Sequence, residues 1–265
     1  MDLGLAAARV VVTGGASNIG RAIVHGFAAE GSRIVISDID KVQADKVREE
    51  ALSLGAQAVE VAAGDLTERG VAERAVGVAV GNWEGIDVLV NNAGWSVPGF
   101  LADDTDRAVW QKTVEINLFT AIASTQAALG PMAEAGHGSI VFIASDAAFG
   151  QIRQGIYGAT KAGLIALART TAKEHGRHGV RSNVVCPGLV IPEGPEAVGG
   201  ASLWSAGQDS VFNDKQIDFV RKDTPLRRLT TAADIANSVL WLSSNTAARQ
   251  ITGQVFSVSG GYTMP

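Results

Sequence analysis

Arg9-Val10-Val11-Val12-Thr13-Gly14-Gly15-Ala16-Ser17-Asn18-Ile19-Gly20 is the stretch that decides the fold. Its first five residues form a short, almost wholly apolar run. Runs without polar alternation belong to strands covered on both faces, as in parallel sheets. The glycines permit a tight turn and a close backbone approach, and Ile19 to Glu30 then has the pattern of a helix stopped by Gly31. A strand, a glycine turn and a helix N-terminus together offer unpaired N–H groups to a diphosphate. A glycine cluster alone is often a plain turn, and the setting between strand and helix is what favours a cradle.

Outward from this stretch, Arg33 to Ser37 reads as a second strand, Lys41 to Leu54 as a helix closed by Gly55, and Gln57 to Ala62 as a third strand. Thr67 to Val80 is predicted helical, Asp87 to Val90 a fourth strand, and Arg107 to Ala135 one or two helices. Ser139 to Ala144, Arg181 to Val185 and Gln254 to Val258 read as further strands, with helices at Ile156 to His175 and Ala232 to Ser243. This alternation predicts a Rossmann-type α/β domain, a doubly wound parallel sheet of about seven strands with helices on both faces. Residues 1–265 are expected to form one domain. The pattern breaks after Pro187. Residues 188–223 are rich in Gly, Pro, Ser and acids, with scattered Leu203, Trp204, Val211, Phe212, Ile217 and Phe219, and are predicted to be an unstructured substrate lid.

Composition narrows the function. The chain has 265 residues, 46% of them hydrophobic and 18% charged, which suits a globular enzyme. A net charge of −5 argues against a nucleic-acid partner. One cysteine, Cys186, allows no internal disulfide, and the four histidines show no ligand spacing, so no metal site is expected. No apolar run has the length of a membrane span, and no basic region precedes the first apolar residues. The expected setting is cytoplasmic.

Two features carry chemistry. Asp38 closes the second strand, 18 residues after Gly20. A carboxylate there can accept hydrogen bonds from both ribose hydroxyls of NAD and would repel the extra phosphate of NADP. Its ordinary alternative is a turn former at a strand end. Ser17 and Asn18 are neutral, while Lys41 and Arg33 stand near enough in sequence to keep NADP open. The second feature is Tyr157-Gly158-Ala159-Thr160-Lys161. Residues four apart on a helix share a face, so the phenol and the ammonium would enter one space. A phenol has a pKa of about 10, and a neighbouring cation favours its phenolate. Taken alone, the pair is as well explained by a surface Tyr and a solvated Lys.

The ordered set Thr13–Gly20, Asp38, Gly64-Asp65, Asn91-Asn92-Ala93-Gly94, Asn117, Ser145, Tyr157…Lys161 and Pro187-Gly188 resembles the short-chain dehydrogenase/reductase family from Arg9 to Tyr262. The resemblance implies a dinucleotide along Gly14, Ser17, Asn18, Ile19 and Gly20, with its adenosine ribose at Asp38 and Ile39. It implies adenine beside Asp65 and Leu66, and further cofactor contacts from Asn92, Ala93, Gly94, Pro187, Gly188 and Val190. It implies Asn91 as a brace of the central sheet. Asn117 would hold a water, Ser145 would bind the reacting oxygen, Tyr157 would transfer the proton, and Lys161 would lower the Tyr157 pKa and hold the nicotinamide ribose. Self-association is also implied, as a homotetramer or homodimer, with Leu164, Ile165, Leu167, Ala168, Ala121, Ala123, Ala127 and Ala128 offering apolar faces or else packing on the sheet.

The sequence departs from the family pattern at three points. Asn18 stands where glycine is usual, and asparagine is the side chain best able to take a positive φ. Pro192 replaces a frequent threonine, leaving the backbone of Leu189, Val190 and Ile191 for nicotinamide. The interval from Ser145 to Tyr157 is one residue short. Trp95, Ser145, Ala147, Ile152, Tyr157 and Leu189 are the candidate substrate contacts, with Ser96, Asp146, Phe149, Arg153 and the lid around them. The expected function is hydride transfer between NAD and a secondary alcohol or ketone, on an alicyclic, aromatic or acyl substrate. The Ser145-Asp146-Ala147 run and the Ser257-Val258-Ser259-Gly260-Gly261 ending resemble members that oxidise hydroxy-alicyclic acyl-thioesters. An NADPH-dependent 3-oxoacyl reductase and a non-catalytic dinucleotide sensor are the competing readings.

Overall fold

A computed structural model describes residues 2–205 and 211–265. Seven strands form one parallel sheet in the order β3-β2-β1-β4-β5-β6-β7. They are β1 (Arg9–Thr13), β2 (Arg33–Asp38), β3 (Ala58–Ala63), β4 (Val88–Asn91), β5 (Gly138–Ile143), β6 (Val180–Pro187) and β7 (Val255–Val258). The order reverses between β1 and β4, and a doubly wound sheet opens its binding crevice at such a point, beyond the strand C-termini. The strand after the lid rejoins the sheet, with Val184 opposite Val255 and Pro187 opposite Val258.

The apolar runs are explained by what they face. Val10, Val12, Ile34, Ile36, Val88 and Val90 enter one core, while Val11, Val35 and Leu89 enter the other. Side chains alternate faces along a strand, so a strand sandwiched between two cores needs apolar residues at every position. The first core is closed by α1 (Asn18–Ala29), α2 (Lys41–Ser53) and α8 (Ala232–Ser243). The second is closed by α3 (Val71–Trp83), α5 (Thr120–Ala135) and α6 (Gly155–His175).

Several boundaries differ from the sequence reading for identifiable reasons. The third helix starts at Val71 rather than Thr67. Asp65 Oδ1 accepts from both Thr67 N and Thr67 Oγ1, holding a turn, and Gly70 has φ +84°. The Arg107 to Ala135 region holds α4 (Arg107–Val114) and α5 joined without a break by a π-helical turn, Glu115–Phe119. Such turns recur where side chains enter the helical ladder. Here Asn117 Nδ2 donates to Thr113 O at 2.8 Å and Thr120 Oγ1 to Ile116 O at 2.6 Å.

The lid is not wholly irregular. Its end is α7 (Asp214–Asp223), opened by a capping box between Asn213 and Gln216, with Ile217 buried. That box is a readable helix-start signal overlooked beside the glycines and prolines. Trp204 and Phe212 stack with centroids 6.2 Å apart, so these two apolar lid residues pack on each other. Residues 206–210 of the predicted lid lie outside the described residues. The faces suggested for self-association are largely internal: Ala121, Ala128, Leu164, Ile165 and Ala168 are buried in the second core. Leu167 and Ala127 pack against it as well. No helix among the described residues is long and apolar enough to cross a membrane.

Candidate active site

The Thr13–Gly20 turn sits at the C-terminal end of β1 and is built by close contacts. Gly14 has φ +63°, and a Cβ there would lie 2.9 Å from Ala93 Cα. A Cβ on Gly20 would run into the Gly14 carbonyl oxygen and lie 2.6 Å from Asn92 Nδ2. Both positions therefore require glycine. Asn18 opens α1 at φ +43°, the left-handed conformation that its side chain tolerates. Ser17 is the N-cap of α1 but makes no capping hydrogen bond of its own, so no side chain covers the first amides of the helix.

The Asn91-Asn92-Ala93-Gly94 run fastens this turn to the centre of the sheet. Asn92 Nδ2 donates to the carbonyls of Thr13 at 3.0 Å and Gly14 at 2.8 Å, while Asn92 N and Ala93 N donate to Thr13 Oγ1. Asn91 braces α5 through Thr125 Oγ1 at 3.0 Å and Ser124 Oγ at 2.6 Å. Asp38 is buried beside the turn; its Oδ2 accepts from Ala16 N at 2.9 Å and its Oδ1 from Asp40 N at 3.0 Å. Burial raises its pKa against those hydrogen bonds. Arg33 lies at the opposite end of β2, paired in register with Arg9 and Ala58. At about 3.3 Å per residue it is roughly 16 Å from Asp38 and cannot serve the same ribose. Lys41 is engaged by Asp45.

The candidate catalytic side chains converge from β5 and α6. Tyr157 and Lys161 share a face of α6, with Lys161 Nζ 5.5 Å from the Tyr157 ring centroid. Lys161 Nζ is buried and donates to Ile143 O at 2.8 Å. Asn117 Oδ1 and Lys161 Nζ both close on Gly94, at 3.0 Å and 3.3 Å from where a Cβ would be. Burial pushes the Tyr157 phenol up to about 12, opposed by the neighbouring Ser145 hydroxyl, and pulls Lys161 down to about 8. The lowering of the Tyr157 pKa expected from Lys161 is not what the polypeptide alone gives: desolvation raises it, and Lys161 donates to a backbone carbonyl.

Ser145 ends β5 and its Oγ donates to Asp146 Oδ1 at 2.9 Å while accepting from Ala147 N at 3.1 Å. The Asn117 side chain spends both amide hydrogens on carbonyls, Trp95 O at 2.7 Å and Thr113 O at 2.8 Å, and accepts from Trp95 N at 3.1 Å. These bonds clamp Trp95 to the helical turn. A small pocket beside Tyr157 is lined by Val97, Trp110, Thr113, Arg153 and Gln154 among others. The sequence reading missed Val97, Trp110 and Thr113. Val97 is brought beside Gln154 by the isolated Gly99–Gln154 bridge and by Ser96 Oγ donating to Gln154 Oε1 at 2.9 Å, while Trp110 Nε1 donates to Asp104 Oδ1 at 2.8 Å. No local pattern announces the pairing of Gly99 with Gln154. Ala147 is buried, whereas Ile152 is 81% exposed. Pro187 ends β6, Gly188 and Leu189 follow it at the same end of the sheet, and Val190 bridges Thr230. Asp65 and Leu66 follow β3, and Ile39 projects beside Asp38, 56% exposed.

The sequence model of a family described as enoyl-(acyl carrier protein) reductase matches residues 14–263. The chain belongs to the short-chain dehydrogenase/reductase family. As a short-chain dehydrogenase/reductase it is an oxidoreductase acting on CH–OH groups or the matching carbonyls. It is 34% identical over 96% of both chains to (2S)-[(R)-hydroxy(phenyl)methyl]succinyl-CoA dehydrogenase subunit BbsD of Thauera aromatica. It is 33% identical to L-rhamnose 1-dehydrogenase (NAD(P)(+)) of Azotobacter vinelandii, over 95% of both chains. Among solved structures, a 7α-hydroxysteroid dehydrogenase complexed with NADH and 7-oxo glycochenodeoxycholic acid superposes with a TM-score of 0.87 at 30% identity. That match covers 98% of this chain and 96% of the other. Together with the seven-stranded parallel sheet, it identifies the Rossmann-like short-chain dehydrogenase fold.

Proposed function

We propose that this short-chain dehydrogenase/reductase transfers hydride between NAD and a secondary alcohol or ketone carried on an alicyclic, aromatic or acyl skeleton. The observation that carries the reading is the convergence of Ser145, Tyr157 and Lys161 beside a glycine cradle flanked by Asp38. The cradle suits a dinucleotide on structural grounds. Gly14 and Gly20 admit no side chain, and Asn18 Oδ1 is a buried polar atom without a protein partner. Gly14, Ser17, Asn18, Ile19 and Gly20 would hold the diphosphate. Asp38 would take the adenosine ribose, and Asp65 and Leu66 would sit beside adenine. Asn92, Ala93, Gly94, Lys161, Pro187, Gly188 and Val190 would line the remainder. When bound, the nicotinamide supplies the hydride chemistry.

The residues of the chain handle the proton and the oxygen. Tyr157 gives its hydroxyl proton to the ketone oxygen in reduction and, as phenolate, takes it from the alcohol in oxidation. Ser145 Oγ binds the reacting oxygen and stabilises its partial charge, turning away from Asp146 to donate. Lys161, while protonated, favours the phenolate. Asn117 keeps Trp95 in place. The affinity for apolar skeletons is supported by Val97 and Trp110 around Tyr157 and by the names of the hydroxysteroid and hydroxy(phenyl)methyl relatives.

The NAD preference is supported by Asp38 together with the engagement of Lys41 by Asp45 and the remoteness of Arg33. An NADPH-dependent 3-oxoacyl reductase would want a free cation at that ribose, and a non-catalytic sensor would not need the Ser145, Tyr157 and Lys161 set. A homotetramer or homodimer belongs to the same reading. It is supported by Phe119, 51% exposed between α4 and α5, more than by the mostly buried alanines and leucines first considered. The deciding experiment follows NADH absorbance across cyclic alcohols, hydroxyacyl-thioesters, steroids and polyols, with Tyr157→Phe as control. The variant should lose nearly all turnover and keep its cofactor affinity; retention of most of the rate would remove Tyr157 from the mechanism.

A further inference from the structure

The first part of the lid does not lie over Tyr157. It crosses to the other end of the crevice and docks where the adenosine ribose is expected. Gly199 N donates to Ser17 Oγ at 2.9 Å and Gly200 N donates to Asp40 Oδ2 at 2.8 Å. Gln43 Nε2 and Lys46 Nζ, both on α2, each donate to Glu196 O at 3.2 Å. Four hydrogen bonds thus join residues 196–200 to the glycine turn and to α2 with its cap, across 150 or more positions of sequence. Gly199 is buried in this contact, and a Cβ on it would fall against Asp40 Oδ2 and 2.9 Å from Gln43 Cβ.

Asp38 lies between the two docking points. Its oxygens accept from Ala16 N, next to Ser17, and from Asp40 N. A ribose hydroxyl using the remaining acceptor capacity of Asp38 is therefore flanked by Ser17 on one side and Asp40 on the other. The strap already occupies both. Its two successive N–H groups are the kind of donors that would otherwise bind a phosphate oxygen. Gly200 N is instead satisfied by the Asp40 carboxylate, a built-in anion.

We infer that the Gly199-Gly200 strap, latched by Ser17 and Asp40, is a wall of the adenosine-ribose site that excludes a 2′-phosphate. This rests on the proposed NAD reading and adds a second determinant to Asp38. Asp40 does three things at once. It adds negative charge, it takes the Gly200 donor that a phosphate would need, and it holds the strap in the space a phosphate would fill. Its Oδ1 separately caps α2 by accepting from Gln43 N at 3.0 Å. Asparagine at that position keeps the cap and loses the Gly200 acceptor and the charge.

The test uses the full chain and titrates NADH and NADPH by nicotinamide fluorescence in wild type, Asp40→Asn and Gly199→Ala. Gly199→Ala unseats the strap without altering charge, which separates the wall from simple repulsion. Asp40→Asn is expected to tighten NADPH by about tenfold while NADH changes by less than about threefold, the scale of one hydrogen bond to a charged group. Gly199→Ala is expected to shift the ratio in the same direction, by about threefold or more. Protease Glu-C should also cut faster after Glu193 and Glu196 in both variants. An unchanged ratio in Gly199→Ala overturns the strap as a determinant even if Asp40→Asn responds, and unchanged cleavage in both overturns the latch. A wild type that prefers NADPH sinks the NAD reading itself, before either variant is considered.

Discussion

Tyr157 and Lys161 show how one pair of residues acquires a function from its surroundings. Their spacing puts them on one face of α6, but burial drives both toward their neutral forms, Tyr157 to about 12 and Lys161 to about 8. At neutral pH the resting protein holds Tyr157 as an acid, which is the form that ketone reduction uses. A proton donor is present below its pKa and lost above it, while a base is gained as pH rises. With the phenol protonated up to about 12, ketone reduction should stay level, and alcohol oxidation rise, as pH increases from about 6 to 10. Steady-state rates in both directions check this, and parallel profiles in the two directions would contradict it. Gly20 offers a second residue-scale outcome. Alanine there meets the Gly14 carbonyl and Asn92 Nδ2, and has nowhere to move because both are backbone-anchored. Gly20→Ala should cost about 2–4 kcal/mol in urea unfolding and abolish dinucleotide binding.

Among the elements, α8 is held by a buried charge and the strand entrances by half-buried ones. Arg181 on β6 donates to Leu242 O at 2.7 Å, to Ser243 O and Ser244 O at 3.3 Å, and to Asn245 Oδ1 at 3.2 Å. A cation at a helix C-terminus meets the negative end of its dipole and its unpaired carbonyls. Burial lowers the Arg181 pKa to about 10, which still leaves it charged at neutral pH. Arg181→Met strands those carbonyls and should destabilise the fold by about 2–4 kcal/mol with the chemistry unaffected. Chemical denaturation and turnover measured on one preparation separate the two effects. At the opposite end of the sheet, Asp87 joins the starts of three strands through Arg9 and His137. Burial would raise its pKa, but its hydrogen bonds to Arg9 and His137 outweigh that and hold it low. A depressed folded pKa gives stability that is present above about 4 and lost as pH falls through the folded value. Asp87→Asn should erase that part of the acid sensitivity, read as the difference in unfolding free energy between neutral and acidic buffer.

At the scale of the whole molecule, a tetramer or dimer is expected from light scattering, and a monomer mass would remove self-association from the reading. Much of the architecture was legible beforehand. Apolar runs such as Val10-Val11-Val12 announce a strand between two cores, and glycines mark the turns at Gly14, Gly31 and Gly55. α8 was read to the residue because Thr231 and Asp234 form a capping box and Ser244 stops it. The lid was read less well. Composition suggests disorder there, while Asn213 and Gln216 start a helix that composition hides.

The chain's local patterns determined the strand and helix order, the glycine cradle, the carboxylate at the end of β2 and the Tyr157–Lys161 face. Each depends on contacts within a few residues, on chirality, or on a side-chain period, and these are written in the sequence directly. Tertiary structure alone decided that Gly99 pairs with Gln154 and that Asn117 clamps Trp95. It alone laid Gly199 and Gly200 on Ser17 and Asp40. Those contacts depend on where the twisted sheet brings distant loops together, and no local spacing encodes that distance. The burial that sets the Tyr157 and Lys161 pKa values is of the same kind, because desolvation is supplied by every element that packs around them.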